Sequence, residues 1–185
     1  MSGSPVPAVN LVFTFSGYPL KERLASRLCS SYARWLGGFR TYETRTGALR
    51  EGFELEPLGG ARVVLASKRL LSPVAFNKYG LNLAALEVTA LDALEAAAAA
   101  GRVLLIDELG PMAMKSEKFS ARVIELLFSP SPCLVFHRRG AAAFDAAFSR
   151  LENTAVMELS EGGWAAAVAA AEAWLDARIV KMEKQ

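Results

Sequence analysis

Residues 103–108, Val-Leu-Leu-Ile-Asp-Glu, are an apolar run that ends in two adjacent carboxylates. A strand carrying Asp107 and Glu108 at its end suits metal-assisted chemistry on phosphate, because one carboxylate can hold Mg²⁺ through its water shell while the other orients an attacking water. Held together after an apolar run, the two acids also call for a nearby cation, since burying unpaired charge is costly. The opposite half of such a site would be Ser16-Gly17-Tyr18-Pro19-Leu20-Lys21-Glu22, where a strand passes into a helix whose N-terminus attracts anions.

The elements that must bring these halves together follow from hydrophobic spacing. Asn10 to Phe15 is a short apolar strand, and Leu20, Leu24, Leu28, Tyr32, Trp35 and Leu36 then recur at helical intervals until Gly37-Gly38. Phe39 to Thr44, Gly52 to Leu58 and Arg62 to Ser67 read as strands separated by turns at Thr46-Gly47 and Gly59-Gly60, an antiparallel addition to the fold. After an irregular Asn77-Lys78-Tyr79-Gly80 stretch, Leu83 to Ala100 is an alanine-rich helix that Gly101 ends, and Arg102 to Ile106 is the next strand. Ser116 caps a helix with Phe119, Val123, Leu126 and Leu127 on one face. Cys133 to Phe136 and Ala155 to Leu159 are strands around an Ala141 to Leu151 helix, and a final helix presents Trp164, Val168, Ala171, Leu175 and Ile179. This alternation predicts an α/β fold: a mostly parallel sheet flanked by helices, with right-handed crossovers and an antiparallel strand addition. Ligands of such sheets lie beyond the strand C-termini, which puts Gly17 and Asp107-Glu108 on one rim.

The 185 residues suit a single domain over 10–185 behind a disordered or extended tail, 1–9. A net charge of +2, without a basic stripe, gives no nucleic-acid signal and no polybasic membrane contact. No apolar run is long enough to span a bilayer, and a cytoplasmic protein is expected. Cys29 and Cys133 stand far apart without the neighbours a metal or redox site needs, so both read as reduced core residues. His137, the only histidine, closes a strand before Arg138-Arg139; a phosphate-sensing cluster and an ordinary surface turn both fit that place.

Three segments resemble one family. Gly38-Phe39-Arg40-Thr41-Tyr42-Glu43-Thr44-Arg45 with Arg50-Glu51-Gly52-Phe53, then Asn77-Lys78-Tyr79-Gly80-Leu81-Asn82, then Asp107-Glu108-Leu109-Gly110-Pro111-Met112, look like successive motifs of the cancer-related nucleoside-triphosphatases, small P-loop NTPases. The resemblance implies a P-loop NTPase-like fold and hydrolysis of nucleoside triphosphates such as ATP or GTP with Mg²⁺ as cofactor. It further implies that Glu108 activates water, Asp107 holds the metal, and Lys21 with Arg45 neutralises phosphate charge. Ser16, Gly17, Lys21 and Glu22 would then meet the phosphates, and Lys78 and Tyr79 would cover the nucleotide as a cation and a stacking ring.

The chain departs from that family at its phosphate loop. Only Tyr18, Pro19 and Leu20 separate Gly17 from Lys21, two residues fewer than the Gly-x-x-x-x-Gly-Lys pattern, and the magnesium-binding hydroxyl is replaced by Glu22. Removing two residues shortens the reach by up to roughly 7 Å. A carboxylate about 4 Å from a terminal phosphate would repel it by roughly 4 kcal/mol at an effective dielectric of about 20, close to a thousandfold in affinity. Ala113 also stands where the family carries glutamate. Two readings follow: a nucleoside-triphosphatase whose altered loop leaves it weak or inactive, or a non-catalytic binding or scaffolding protein that meets a macromolecular partner or a second copy of itself.

Overall fold

The computed structural model describes residues 8–183, so most of the expected N-terminal tail, 1–7, lies outside the described residues. Strand β1 (Asn10–Thr14) leads into α1 (Tyr18–Ser31), followed by β2 (Leu36–Thr46), β3 (Leu49–Pro57), β4 (Val63–Ser67), β5 (Ala75–Phe76) and β6 (Tyr79–Leu81). A wide π-type turn of helix, Ala85–Ala90, runs into α2 (Leu91–Ala99). Then come β7 (Val103–Leu109), α3 (Glu117–Phe128), β8 (Cys133–His137), α4 (Ala142–Arg150), β9 (Thr154–Glu158) and α5 (Trp164–Met182).

All the strands join one sheet in the order β5-β6-β4-β3-β2-β7-β8-β1-β9. From β2 to β9 neighbouring strands are parallel, and β3, β4, β6 and β5 extend the sheet antiparallel from β2. The predicted fold class is therefore the observed one. Alternate residues of the central strands feed two cores. Leu11, Phe13, Leu105 and Phe136 pack under α1 and α5, whereas Val12, Leu104, Ile106 and Val135 pack under α2, α3 and α4.

Three local expectations are corrected. Helix α1 stops at Ser31, and Gly37-Gly38, read as its terminator, lie inside β2. Their role is close approach: a Cβ on Gly37 would stand 2.5 Å from that of Ala97, and one on Gly38, at φ +112°, would stand 2.2 Å from the Leu105 carbonyl oxygen. The Asn77-Lys78 stretch is the turn of a short β5–β6 hairpin, made possible by Asn77 at φ 54°. His137 is neither a rim sensor nor a surface residue. It is buried, with Nδ1 3.0 Å from the Leu109 carbonyl, Nε2 2.7 Å from Asp145 Oδ1, and its ring against Phe148, so it ties β7 and β8 to α4.

Other expectations hold. Gly101 follows α2 at φ +64°. Cys29 and Cys133 are free thiols, half-buried and buried respectively. Among the described residues no helix is long and apolar enough to cross a membrane. Ser116 caps α3, accepting from the Phe119 N–H at 3.1 Å while donating to Glu87 at 2.6 Å. Ser116→Ala should lower stability by about 1–2 kcal/mol in urea unfolding, since both a cap and the donor to the half-buried Glu87 are lost; a change under about 0.3 kcal/mol would mean the cap carries no weight.

Candidate functional site

Because β8 separates β7 from β1 in a parallel sheet, the C-terminal ends of β1 and β7 share an edge, and side chains from both meet there. Phe15, Ser16 and Gly17 alone join β1 to α1. Gly17 is extended (φ −112°, ψ 129°), no side chain caps α1, and Pro19 in the first turn has no N–H to offer. A phosphate cradle needs successive N–H groups converging on one point. Here the chain passes directly from strand to helix without a wrapped loop.

Lys21 turns inward. Its ammonium donates to Asp107 Oδ1 at 2.7 Å and to the Thr41 carbonyl at 2.9 Å, and lies 2.5 Å from Glu22 Oε1. The Lys21 and Asp107 side chains are both 0% exposed. Burial alone would lower the Lys21 pKa, but the carboxylates of Asp107, Glu108 and Glu22 outweigh it and hold the group above the ordinary lysine value. Burial pushes the Asp107 carboxyl up, against the pull of Lys21 and Arg40. The contacts with both cations favour the charged form of Asp107.

Arg40, from β2, closes the cluster. It reaches Asp107 Oδ2 at 3.4 Å, Glu22 Oε2 at 2.9 Å and Ser26 Oγ at 3.3 Å. Each oxygen of Asp107 thus faces a cationic side chain. A metal on Asp107 would have to displace Lys21 or Arg40; among the described residues no three or more His, Cys, Asp or Glu side chains cluster as a metal site.

Glu108 points the other way along the rim. Its Oε1 accepts from the Tyr18 hydroxyl at 3.1 Å, while Oε2 is covered and has no hydrogen-bond partner. Burial pushes its carboxyl up to about 7, with Lys21 pulling in the opposite direction. Burial and the neighbouring Glu108 also raise the Tyr18 phenol above its usual range. Around the Tyr18 ring stand Arg138 (5.2 Å), Lys21 (5.4 Å) and Arg50 (5.5 Å).

Two cavities flank Tyr18. A cleft of about 500 Å³ is lined by Gly17, Glu22, Glu43, Arg45, Arg50 and Arg138, among others. A chamber of about 190 Å³ lies between Phe53, Phe76, Tyr79, Glu108 and Met112.

Of the residues singled out from the sequence, Ser16, Gly17, Glu22 and Arg45 line the cleft. Arg45 is exposed and lies 3.0 Å from Glu43, which Arg50 also holds at 2.5 Å. Lys21 and Asp107 are brought together, but beneath the cleft and facing each other. Lys78 is exposed on the hairpin turn, and Tyr79 is 5% exposed with its ring 5.7 Å from that of Phe53, a wall of the chamber rather than a cover on the cleft. Sequence reasoning missed Arg40 and Tyr18 as site residues, whereas Arg138, one of the residues beside His137 for which a phosphate-sensing cluster was an expectation, lines the cleft. Arg40 had a signal: an arginine between Phe39 and Thr41 in a strand that starts fully buried requires an internal acid.

The chain matches the profile of a protein family described as NTPase over residues 20–169, so β1 and the turn after it lie outside the matched range. It is 31% identical over 125 residues to a nucleoside-triphosphatase THEP1 from Thermotoga maritima, covering 68% of this chain and 72% of that protein. Over 127 residues it is 36% identical to THEP1 from Thermococcus kodakarensis, covering 64% of this chain and 71% of the relative. The crystal structure of THEP1 from Aquifex aeolicus superposes with a TM-score of 0.73 at 25% identity, covering 83% of this chain and 91% of that one. A human cancer-related nucleoside triphosphatase, at 24% identity and a TM-score of 0.64, shares the fold, covering 84% of this chain and 90% of its own.

Proposed function

Because the chain belongs to the NTPase family, we propose that it is a nucleoside-triphosphatase by descent in which magnesium-dependent hydrolysis of ATP or GTP is weak or lost. The observation that carries this reading is the Lys21–Asp107 contact of 2.7 Å between side chains that are both 0% exposed. In a working phosphate site the lysine must reach phosphate oxygens, and the aspartate must face the metal. Here each satisfies the other. Freeing them for a ligand would expose or unpair two buried charges, and breaking a buried pair costs several kcal/mol, of order 3–5.

Two further features support the reading. Glu22 lies on the wall of the cleft with 32% of its side chain exposed, so negative charge meets an incoming triphosphate. The pairing of Glu22 with Arg40 and Lys21 softens that repulsion below the figure for an isolated carboxylate. The direct strand-to-helix turn also lacks the converging N–H groups that wrap a phosphate. Glu108 alone keeps the character of a general base, with one covered oxygen unpartnered and a pKa near 7.

The test is phosphate release from ATP and GTP with and without Mg²⁺, run on the native protein and on Glu108→Gln. The expected result is equal, background-level release from both. Magnesium-dependent turnover far above background that Glu108→Gln removes would refute the proposal.

A further inference from the structure

We propose that the chamber beside Glu108 binds the base of a nucleoside monophosphate, with the phosphate seated on Arg138 and Arg50, and that this binding needs no metal. The inference goes beyond the hydrolytic reading and does not depend on it.

The chamber's size sets the first limit. At about 190 Å³ it falls below the range of drug-sized pockets, roughly 300–1,000 Å³, and suits one flat ring system. Its walls set the second. Tyr18, Phe53 and Tyr79 form a connected series of rings, with centroids 6.1 Å apart for the first pair and 5.7 Å for the second, and Phe76 and Met112 complete the lining. Such walls favour the face of an aromatic ligand, and base-on-aromatic stacking is tolerant of base identity.

Polar groups then narrow the class. Glu108 lines the chamber, and its carboxylate accepts only one protein hydrogen bond, from the Tyr18 hydroxyl to Oε1, which leaves room for a further donor. A ring carrying an N–H edge supplies that donor. An aliphatic or purely hydrocarbon guest would supply none.

The third element is positive charge at a shared boundary. Tyr18, Arg50 and Arg138 line both the chamber and the larger cleft, so a ligand anchored in the chamber projects its substituent into the cleft past two guanidiniums. Arg50 is already paired with Glu43 at 2.5 Å. Arg138 makes no ion pair of salt-bridge length among the described residues; its guanidinium lies over the Tyr18 ring at 5.2 Å and interacts with the Tyr18 phenol and the Glu108 carboxylate, and its five donors leave N–H groups over for a phosphate. A triphosphate would extend further, toward Glu22 and Glu43 on the cleft wall, where added negative charge is disfavoured. A single phosphate stops at the arginines.

The test is calorimetric titration in EDTA with GMP, AMP and UMP, with guanosine and inorganic phosphate as the separated halves. At least one monophosphate is expected to bind one-to-one, at least tenfold more tightly than guanosine or phosphate alone. Phe76→Leu, on a half-buried edge strand, should weaken it about tenfold by removing a stacking face. Arg138→Gln should weaken the monophosphate about tenfold or more while leaving guanosine unchanged, and the circular dichroism of both variants should match that of the native chain. Absence of binding at millimolar nucleotide, or affinity unaltered by both substitutions, would overturn the proposal. Because no metal and no hydrolysis enter these measurements, their failure would leave the phosphate-release result standing, and a positive release assay would not rescue them.

Discussion

Lys21→Met is expected to lower the free energy of unfolding by about 3–5 kcal/mol, read as a fall in the urea midpoint at unchanged slope. The substitution removes an ammonium that contacts Asp107 at 2.7 Å with neither side chain exposed, and leaves that carboxylate with Arg40 alone at 3.4 Å. Thr41's carbonyl loses its donor as well. Arg40 offsets part of the loss, which places the effect toward the lower end of the range. A second substitution separates packing from charge: in Lys21→Met with Asp107→Leu, both charges are gone and most of the stability should return, because the penalty belongs to the orphaned carboxylate. A loss below about 1 kcal/mol for Lys21→Met would mean that the ammonium spends its time in solvent, facing the cleft, and the proposed loss of hydrolysis would lose its main support.

A second large effect attaches to Glu108 and to pH. Its carboxyl is raised from an ordinary 4.5 to about 7 by burial, so the folded chain binds that proton more tightly than the unfolded chain. The resulting stability is fully present below about pH 4.5 and is lost as pH rises through 7, where the native state must bury a carboxylate with one oxygen unpaired. At about 1.36 kcal/mol per pKa unit the full span is roughly 3.4 kcal/mol, and partial exposure of the side chain reduces it to about 2–3. Glu108→Gln cannot ionise. It should therefore match the native chain near pH 4 and exceed it by about 2–3 kcal/mol at pH 8, with the difference growing between. Comparing the two chains cancels the other titrating groups. A difference that stays flat from pH 4 to pH 8 would show that the Glu108 carboxylate is solvated.

Much of the architecture was legible because strands here are short apolar runs with polar ends. Val103 to Ile106 followed by Asp107-Glu108 identified both a strand and its C-terminal rim, and the sheet order fulfilled the expectation that Gly17 would share that rim. Helix starts were legible where a side chain announces them, as Ser116 does. Glycine was less informative, since the same pair, Gly37-Gly38, can end a helix or let two backbones approach within a strand, and only the packing of α2 and β7 distinguishes the cases. Leu36 continued the helical spacing of α1 by coincidence, being the first residue of β2.

The site was legible in composition but not in direction. The sequence put Lys21 and Asp107 in one neighbourhood, and it carries three residues between Gly17 and Lys21 and an acid at position 22. Whether a four-carbon side chain reaches outward to a ligand or inward to a carboxylate depends on the distance between β1 and β7, which no local pattern records. The same holds for Arg40, whose partners come from α1 and from the far strand β7. Tyr79 was read as a covering ring because its segment looked irregular; as the first residue of a hairpin strand its alternation turns it into the core.

Lys21, Glu22, Arg40 and Asp107 sum to zero, with each cation set between two anions. Such a closed circuit of charge casts little field beyond its own radius. The four-residue cluster is thereby electrically complete in itself, because the counter-charges that each member needs are covalently part of the polypeptide.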